Sequence, residues 1–187
     1  VTTTKELMDN KQIADFIIKC LVLKHDEEIC QLMKGKTYQE EIEYLILNEN
    51  RNKFIKNLSV SLTGNTLILY QYVDKHGKIL YDMISNTKNI GERKVFFVYG
   101  KTDTETREEV RRITENENDA IIVASYGTFS TGINIRNLHN VIFASPSKSR
   151  VRNLQSIGRG LRIGDNKTEA VLYDIADDLR YKGHMNF

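Results

Sequence analysis

From Leu58 onward the chain keeps one rhythm, in which short apolar, β-branched or aromatic runs alternate with charged stretches of helical period. The runs are Thr66–Val73, Lys94–Tyr99, Ala120–Ser125, Asn140–Ala144 and Ala170–Ile175. They are continuously apolar rather than alternating, as strands are when a parallel sheet is covered on both faces. Helical patterns fall between them at His76–Asn86, Thr104–Asn116 and Lys148–Arg162. Strand–helix–strand alternation predicts an α/β fold: layers around a mostly parallel sheet, with right-handed crossovers and helices on both faces.

The first 60 residues are patterned differently. Thr2–Asn10 reads as a short helix, Ile13–Leu23 as a candidate extra strand, and Asp26–Met33 as a helix. Thr37 and Glu40 have the spacing of a capping box, which opens a helix over TYQEEIEYLIL. Asn50–Leu62 continues helically with Phe54, Ile55, Leu58 and Leu62 on one face. The expected organisation is a mostly helical N-terminal extension, residues 1–60, packed on a core of residues 61–187.

Composition narrows the class. The chain has 187 residues, 40% hydrophobic and 28% charged. That is a globular balance, at a length that buries about 70% of the unfolded surface. The longest uncharged run, Asn57–Val73, is interrupted by polar residues and is too short for a membrane span. No signal-peptide pattern opens the chain, so a cytoplasmic location is expected. Val1 stands where an initiator Met would, which points to a piece of a longer protein. Cys20 and Cys30 are ten residues apart, outside metal-ligand spacing, and are expected to be free and buried. The four histidines are scattered, so no metal site is expected.

Net charge is only +2, but it is unevenly spread. Ser145–Lys167 holds six bases against one acid, whereas Thr37–Asn50 holds four glutamates and no base. Within the basic stretch Arg152, Gln155, Arg159 and Arg162 follow at helical spacing on one face, and Val151, Leu154, Ile157 and Leu161 form a neighbouring apolar stripe. Gly158 and Gly160 cost this helix about 1 kcal/mol each relative to Ala. Three guanidiniums on one face also repel one another unless an anion arrives.

Two further segments carry phosphate-type chemistry. Ser125–Asn134 directly follows a strand and supplies Ser, Thr and Gly, hence hydroxyls and bare amides, at a strand's carboxyl end. Tyr99-Gly100-Lys101-Thr102 repeats the strand-to-helix arrangement. In open α/β sheets ligands gather at that edge. Gly35-Lys36-Thr37 mimics the end of a P-loop, but Cys30 stands where the earlier glycine belongs and no strand precedes it. There is no acidic DExD/H box either.

Taken in order, these segments resemble the C-terminal RecA-like domain of superfamily 2 helicases and translocases. Gln155–Arg162 resembles motif VI, Q-x-x-G-R-x-x-R, and Ser125–Asn134 resembles motif V. Asn65–Val73 and Val95–Gly100 stand where motif IV and its companion fall. KGKTYQEEIEYL, GKTDTETREEV, VASYGTFSTGINIRNLHNVIFA and LQSIGRGLR are similar, more narrowly, to the UvsW-type recombination helicases of T-even-like bacteriophages. The resemblance implies ATP clamped between two RecA-like domains, with Mg held mainly by the first, which carries the P-loop. By match, Arg162 is the arginine finger, Arg159 its companion at the phosphates, and Gln155 orders the site. Gly132 and Asn134 would approach the nucleotide; many relatives carry Asp in place of Asn134. Gly100, Lys101, Ser125 and Thr128 would meet DNA backbone phosphates, joined by Lys75 and His76 after the first core strand. The implied partners are DNA, branched or single-stranded, and the first domain of the same polypeptide, with no membrane.

Two other classes compete. A stand-alone nucleic-acid-binding domain would explain the basic helix, but not its register with Ser125–Asn134. A small-molecule α/β enzyme needs an acid or base in the strand-end loops. Asp174, Asp177 and Asp178 are the candidates, and their clustering reads as a solvated turn or helix start.

Overall fold

A computed structural model describes residues 15–88, 90–131, 137–146 and 169–181. The strands are β1 (Asp15–Lys24), β2 (Thr66–Tyr70), β3 (Val95–Val98), β4 (Ile121–Ser125), β5 (Asn140–Phe143) and β6 (Glu169–Asp178). They form one sheet in the order β1-β6-β5-β2-β4-β3, and every pairing is parallel. The helices are α1 (Glu27–Lys34), α2 (Tyr38–Leu47), α3 (Glu49–Ser61), α4 (Lys78–Ser85), α5 (Thr104–Asn116) and α6 (Tyr126–Thr131).

Central β2 and β4 are buried along their whole length, which is why their sequences are unbroken apolar runs. Successive residues feed opposite faces. Leu67, Leu69, Ile122, Ala124, Val141 and Phe143 pack with Val110 of α5 and Phe129 of α6. Ile68, Tyr70, Ile121, Val123, Ile142 and Ala144 pack with Ile55 of α3 and with Leu80 and Ile84 of α4. Helices therefore cover both faces, and the α/β expectation holds.

The N-terminal segment supplies a strand as well as helices. β1 pairs with β6 over ten residues, from Asp15↔Glu169 to Lys24↔Asp178. The Thr37 capping box forms: Thr37 Oγ1 accepts from the Glu40 amide at 3.3 Å, and Glu40 Oε2 accepts from the Thr37 amide at 2.8 Å. Those hydrogen bonds hold the Glu40 carboxyl down at about 2. The expected helices at Thr2–Asn10 and Lys148–Arg162 lie outside the described residues, the former entirely and the latter likewise.

Three expectations need correction. The first core strand ends at Tyr70 rather than Val73, because the chain closes a π-helical turn over Val73–Gly77. The amide of Gly77 reaches back to Tyr72 O at 2.9 Å. A Cβ on Gly77 would meet the Tyr70 ring at 2.4 Å, so only glycine fits there. The last strand runs on past Ile175 to Asp178, so the acids read as a solvated turn are strand residues, and Asp177 is buried. Cys30 is buried as expected but Cys20 is exposed, because it lies on the sheet-edge strand β1. Among the described residues no helix is long and apolar enough to cross a membrane.

Candidate nucleic-acid interface

The phosphate-type groups of three turns leave three adjacent strands. β2, β4 and β3 are neighbours and parallel, so their carboxyl ends share one edge. After β2 come the π turn and Lys75. After β3 come Gly100 and Lys101, and after β4 come Ser125 and Thr128. Chain order alone does not bring these together; the crossover topology does.

Each turn is fixed locally. Ser125 Oγ lies 2.6 Å from Thr128 Oγ1 and accepts from the Thr128 amide at 3.2 Å, capping the short helix α6. Both side chains are buried in this arrangement, so a phosphate would reach them by displacing their mutual hydrogen bond. Gly100 and Lys101 are exposed. The Thr102 hydroxyl accepts from the Tyr99 amide at 3.0 Å, and the Thr102 amide donates to Tyr99 O at 2.9 Å. Arg107 of α5 donates to Gly100 O at 2.7 Å and brings a guanidinium beneath the turn. The Asp103 carboxylate caps α5 through the Thr106 amide, and these hydrogen bonds lower its pKa.

Lys75 is exposed and pairs with Glu43 of α2. An exposed pair of this kind is worth under about 1 kcal/mol, so a phosphate can compete for the ammonium. His76, its neighbour, does not face outward. It is fully buried, with both ring nitrogens engaged, so unlike Lys75 it presents no free group at the edge. The π turn is the cause, since it rotates residue 76 into the core while leaving residue 75 outside.

The hydrogen bonds around His76 have one consistent direction. Asn52 Nδ2 donates to Ile46 O at 2.8 Å, which leaves Asn52 Oδ1 to accept from His76 Nε2 at 3.1 Å. Nδ1 of the neutral ring then accepts from the Ser145 hydroxyl at 2.8 Å. Ser145 Oγ in turn accepts from the Gln71 amide at 3.0 Å. A second proton on Nδ1 would take over that bond and turn the Ser145 hydroxyl proton away from the ring. Burial, with the Arg51 charge nearby, pushes the His76 pKa down to about 3.

Sequence reasoning missed a buried ion pair beside this chain. Arg51 Nε lies 3.0 Å from both carboxylate oxygens of Asp177, and Nη1 donates to Ala144 O at 2.7 Å. His25 Nε2 lies 3.0 Å from Asp177 Oδ1. Arg51 and Asp177 are each only 2% exposed, so each would leave an uncompensated buried charge without the other. The signals were present. Arg51 is one helical turn before core residue Ile55, and Asp177 continues the period-two face of Tyr173 and Ile175. Arg51, Asp177 and His25 therefore act as structure at the strand ends, and Asp177 is not part of a solvated acidic turn.

Gln155, Arg159 and Arg162, together with Gly132 and Asn134, lie outside the described residues. No group of His, Cys, Asp and Glu suited to a metal ion occurs among the described residues.

The family described as the helicase conserved C-terminal domain matches residues 49–164. The ATP-dependent DNA helicase uvsW of Enterobacteria phage T4 is 40% identical over 183 residues, covering 96% of this chain and 36% of that protein. The crystal structure of T4 UvsW superposes with a TM-score of 0.76 at 41% identity, covering 88% of this chain and 33% of that one. The SWI2/SNF2 ATPase core domain of Sulfolobus solfataricus, at 18% identity, shares the fold with a TM-score of 0.57, covering 94% of this chain and 42% of that one. This chain thus spans about a third of the length of the T4 protein it matches. A parallel six-stranded sheet, phosphate-type turns on adjacent strand ends and a family match across most of the core lead to one assignment: the chain belongs to the helicase conserved C-terminal domain family, the second RecA-like domain of superfamily 2.

Proposed function

We propose that this chain is the C-terminal half of an ATP-dependent DNA helicase or translocase that acts on recombination or replication-fork junctions. The observation that carries the reading is the gathering of Lys75, Gly100, Lys101, Ser125 and Thr128 at one sheet edge, in a chain that matches helicase C-terminal domains. Hydroxyls, amides and single cations suit phosphate oxygens and carry no base code, so they fix a strand without reading its sequence. The same edge has no base-reading groove element among the described residues.

ATP would lie between this domain and a first RecA-like domain of the same polypeptide. By the resemblance, Arg159 and Arg162 would meet the triphosphate, since planar guanidiniums suit phosphate oxygens, with Gln155 ordering the site and Gly132 and Asn134 beside the nucleotide. ATP supplies the phosphoryl-transfer free energy, with Mg held mainly by the first domain. Arg162 delivers positive charge only when the two domains close, which links turnover to domain position. The 187 residues contain neither a P-loop nor an acidic box, so alone they supply half of such a site. The proposed setting is a bacterial cytoplasm, with DNA rather than a membrane as partner.

The test is ATP turnover by the longer polypeptide that carries this domain, with and without branched DNA. Stimulation by DNA, and unwinding or branch migration of a junction, are expected. Turnover indifferent to every DNA form would overturn the reading.

A further inference from the structure

The exit of β5 is held from several directions at once. Ser145 Oγ accepts from the Gln71 amide, the first residue after β2, at 3.0 Å, and meets His76 Nδ1 of the π turn at 2.8 Å. Ser145 O accepts from the hydroxyl of Tyr126, the first residue after β4, at 3.4 Å. One residue earlier, Arg51 of α3 donates to Ala144 O at 2.7 Å. Ser145 is 4% exposed, so water does not substitute for these partners. The turns that meet here are the same two that present Lys75 and Ser125 at the sheet edge. In sequence, the chain leaving Ser145 leads through Pro146 to the Gln155–Arg162 motif.

We propose that Ser145 is a positioning residue that ties the turns after β2 and β4 to the exit of β5, so that the DNA-side turns and the root of the arginine-bearing segment keep one register. The proposal rests on the reading of the preceding subsection. Ser145 touches neither DNA nor nucleotide; it acts through the groups it bonds. Its hydroxyl is the shared element, taking a backbone amide from one side and giving its proton to an imidazole on the other. A shared, directed hydrogen bond inside a dry site has few alternative arrangements, so displacement of one turn is passed to its neighbours.

The experiment uses the longer polypeptide and reads the ratio of DNA-stimulated to basal ATP turnover, at saturating DNA and ATP. Ser145→Ala should lower that ratio at least about fivefold, with a smaller change in basal turnover. A matched pair separates positioning from mere loss of packing. Asn at position 76 places an acceptor near the Nδ1 site and keeps the link to Ser145, whereas Gln places its amide near the Nε2 site and keeps only the link to Asn52. His76→Asn should therefore retain most of the ratio and His76→Gln should lose it, although both remove the same ring. A ratio within about twofold of wild type in Ser145→Ala, or equal losses in the two His76 variants, would overturn the proposal. Wild-type protein without any DNA stimulation would instead fail the helicase reading, and this proposal with it.

Discussion

Acid should unfold this domain earlier than its carboxylates alone would, through His76. In the folded chain the ring takes its second proton only near pH 3, against an ordinary value of 6.5, because it is buried and lies near Arg51. The unfolded chain therefore binds that proton first as pH falls. The stability tied to a neutral His76 is fully present above 6.5 and is lost between 6.5 and about 3. Each pH unit in that window costs up to about 1.4 kcal/mol. Between pH 7 and pH 5 the loss from this one ring is about 2 kcal/mol. With a urea slope of about 2 kcal/mol per molar, that moves the midpoint down by about 1 M. Urea unfolding at pH 7, 6 and 5, followed by circular dichroism, should show this drop. His76→Asn is the control, since it keeps the Ser145 partner and does not titrate. The variant should start less stable at pH 7 and lose about 2 kcal/mol less on going to pH 5. Equal losses in the two chains, or a His76 ring in the folded protein that titrates near 6.5 by NMR, would refute the reasoning.

Removing one partner of the Arg51–Asp177 pair should cost about 3–5 kcal/mol, read as the change in unfolding free energy of Asp177→Ala, while an exposed pair such as Lys75–Glu43 should cost under about 1 kcal/mol. Gly77→Ala should destabilise by at least about 1–3 kcal/mol, because its methyl enters the Tyr70 ring; a thermal midpoint equal to wild type would contradict that. DNA binding by the 187-residue chain alone should be weak, about 10⁻⁴ M at physiological salt, falling steeply with salt and varying little with sequence; anisotropy titrations at several salt concentrations check it.

The layered fold was legible because central strands buried on both faces leave an unmistakable apolar run, as at Leu67–Leu69 and Ile121–Ala124. Strand ends were harder to place. Gln71–Val73 has strand-forming residues, yet Ser145 takes the Gln71 amide and Gly77 lets a π turn close on the Tyr70 ring. Three acids near a strand end suggest solvent; the periodicity marks Arg51 and Asp177 as inward, but the two are distant in sequence and only the fold shows that they meet. Lys75 and His76 look alike as phosphate candidates after the first core strand, and a π turn has no composition signature that would show one of them turned inward. The candidate phosphate turns were legible individually, as glycine- and hydroxyl-bearing stretches after strands. Their shared edge became visible only with the strand order, which puts β4 between β2 and β3.

The central claim is that this domain lends its arginines to an ATP site completed by a first domain, and Arg162 tests it most directly. In the longer polypeptide, DNA-stimulated ATP turnover by Arg162→Ala should fall by about 10³–10⁵, the usual worth of an arginine finger. Folding and DNA binding should persist, since Arg162 shares its stripe with Gln155 and Arg159 rather than with the apolar Val151, Leu154, Ile157 and Leu161. Arg162→Lys should rescue poorly, because an ammonium lacks the planar fork. Turnover above about a tenth of wild type in Arg162→Ala, or an equal loss in Arg152→Ala, which lies on the same stripe outside the motif, would contradict the account.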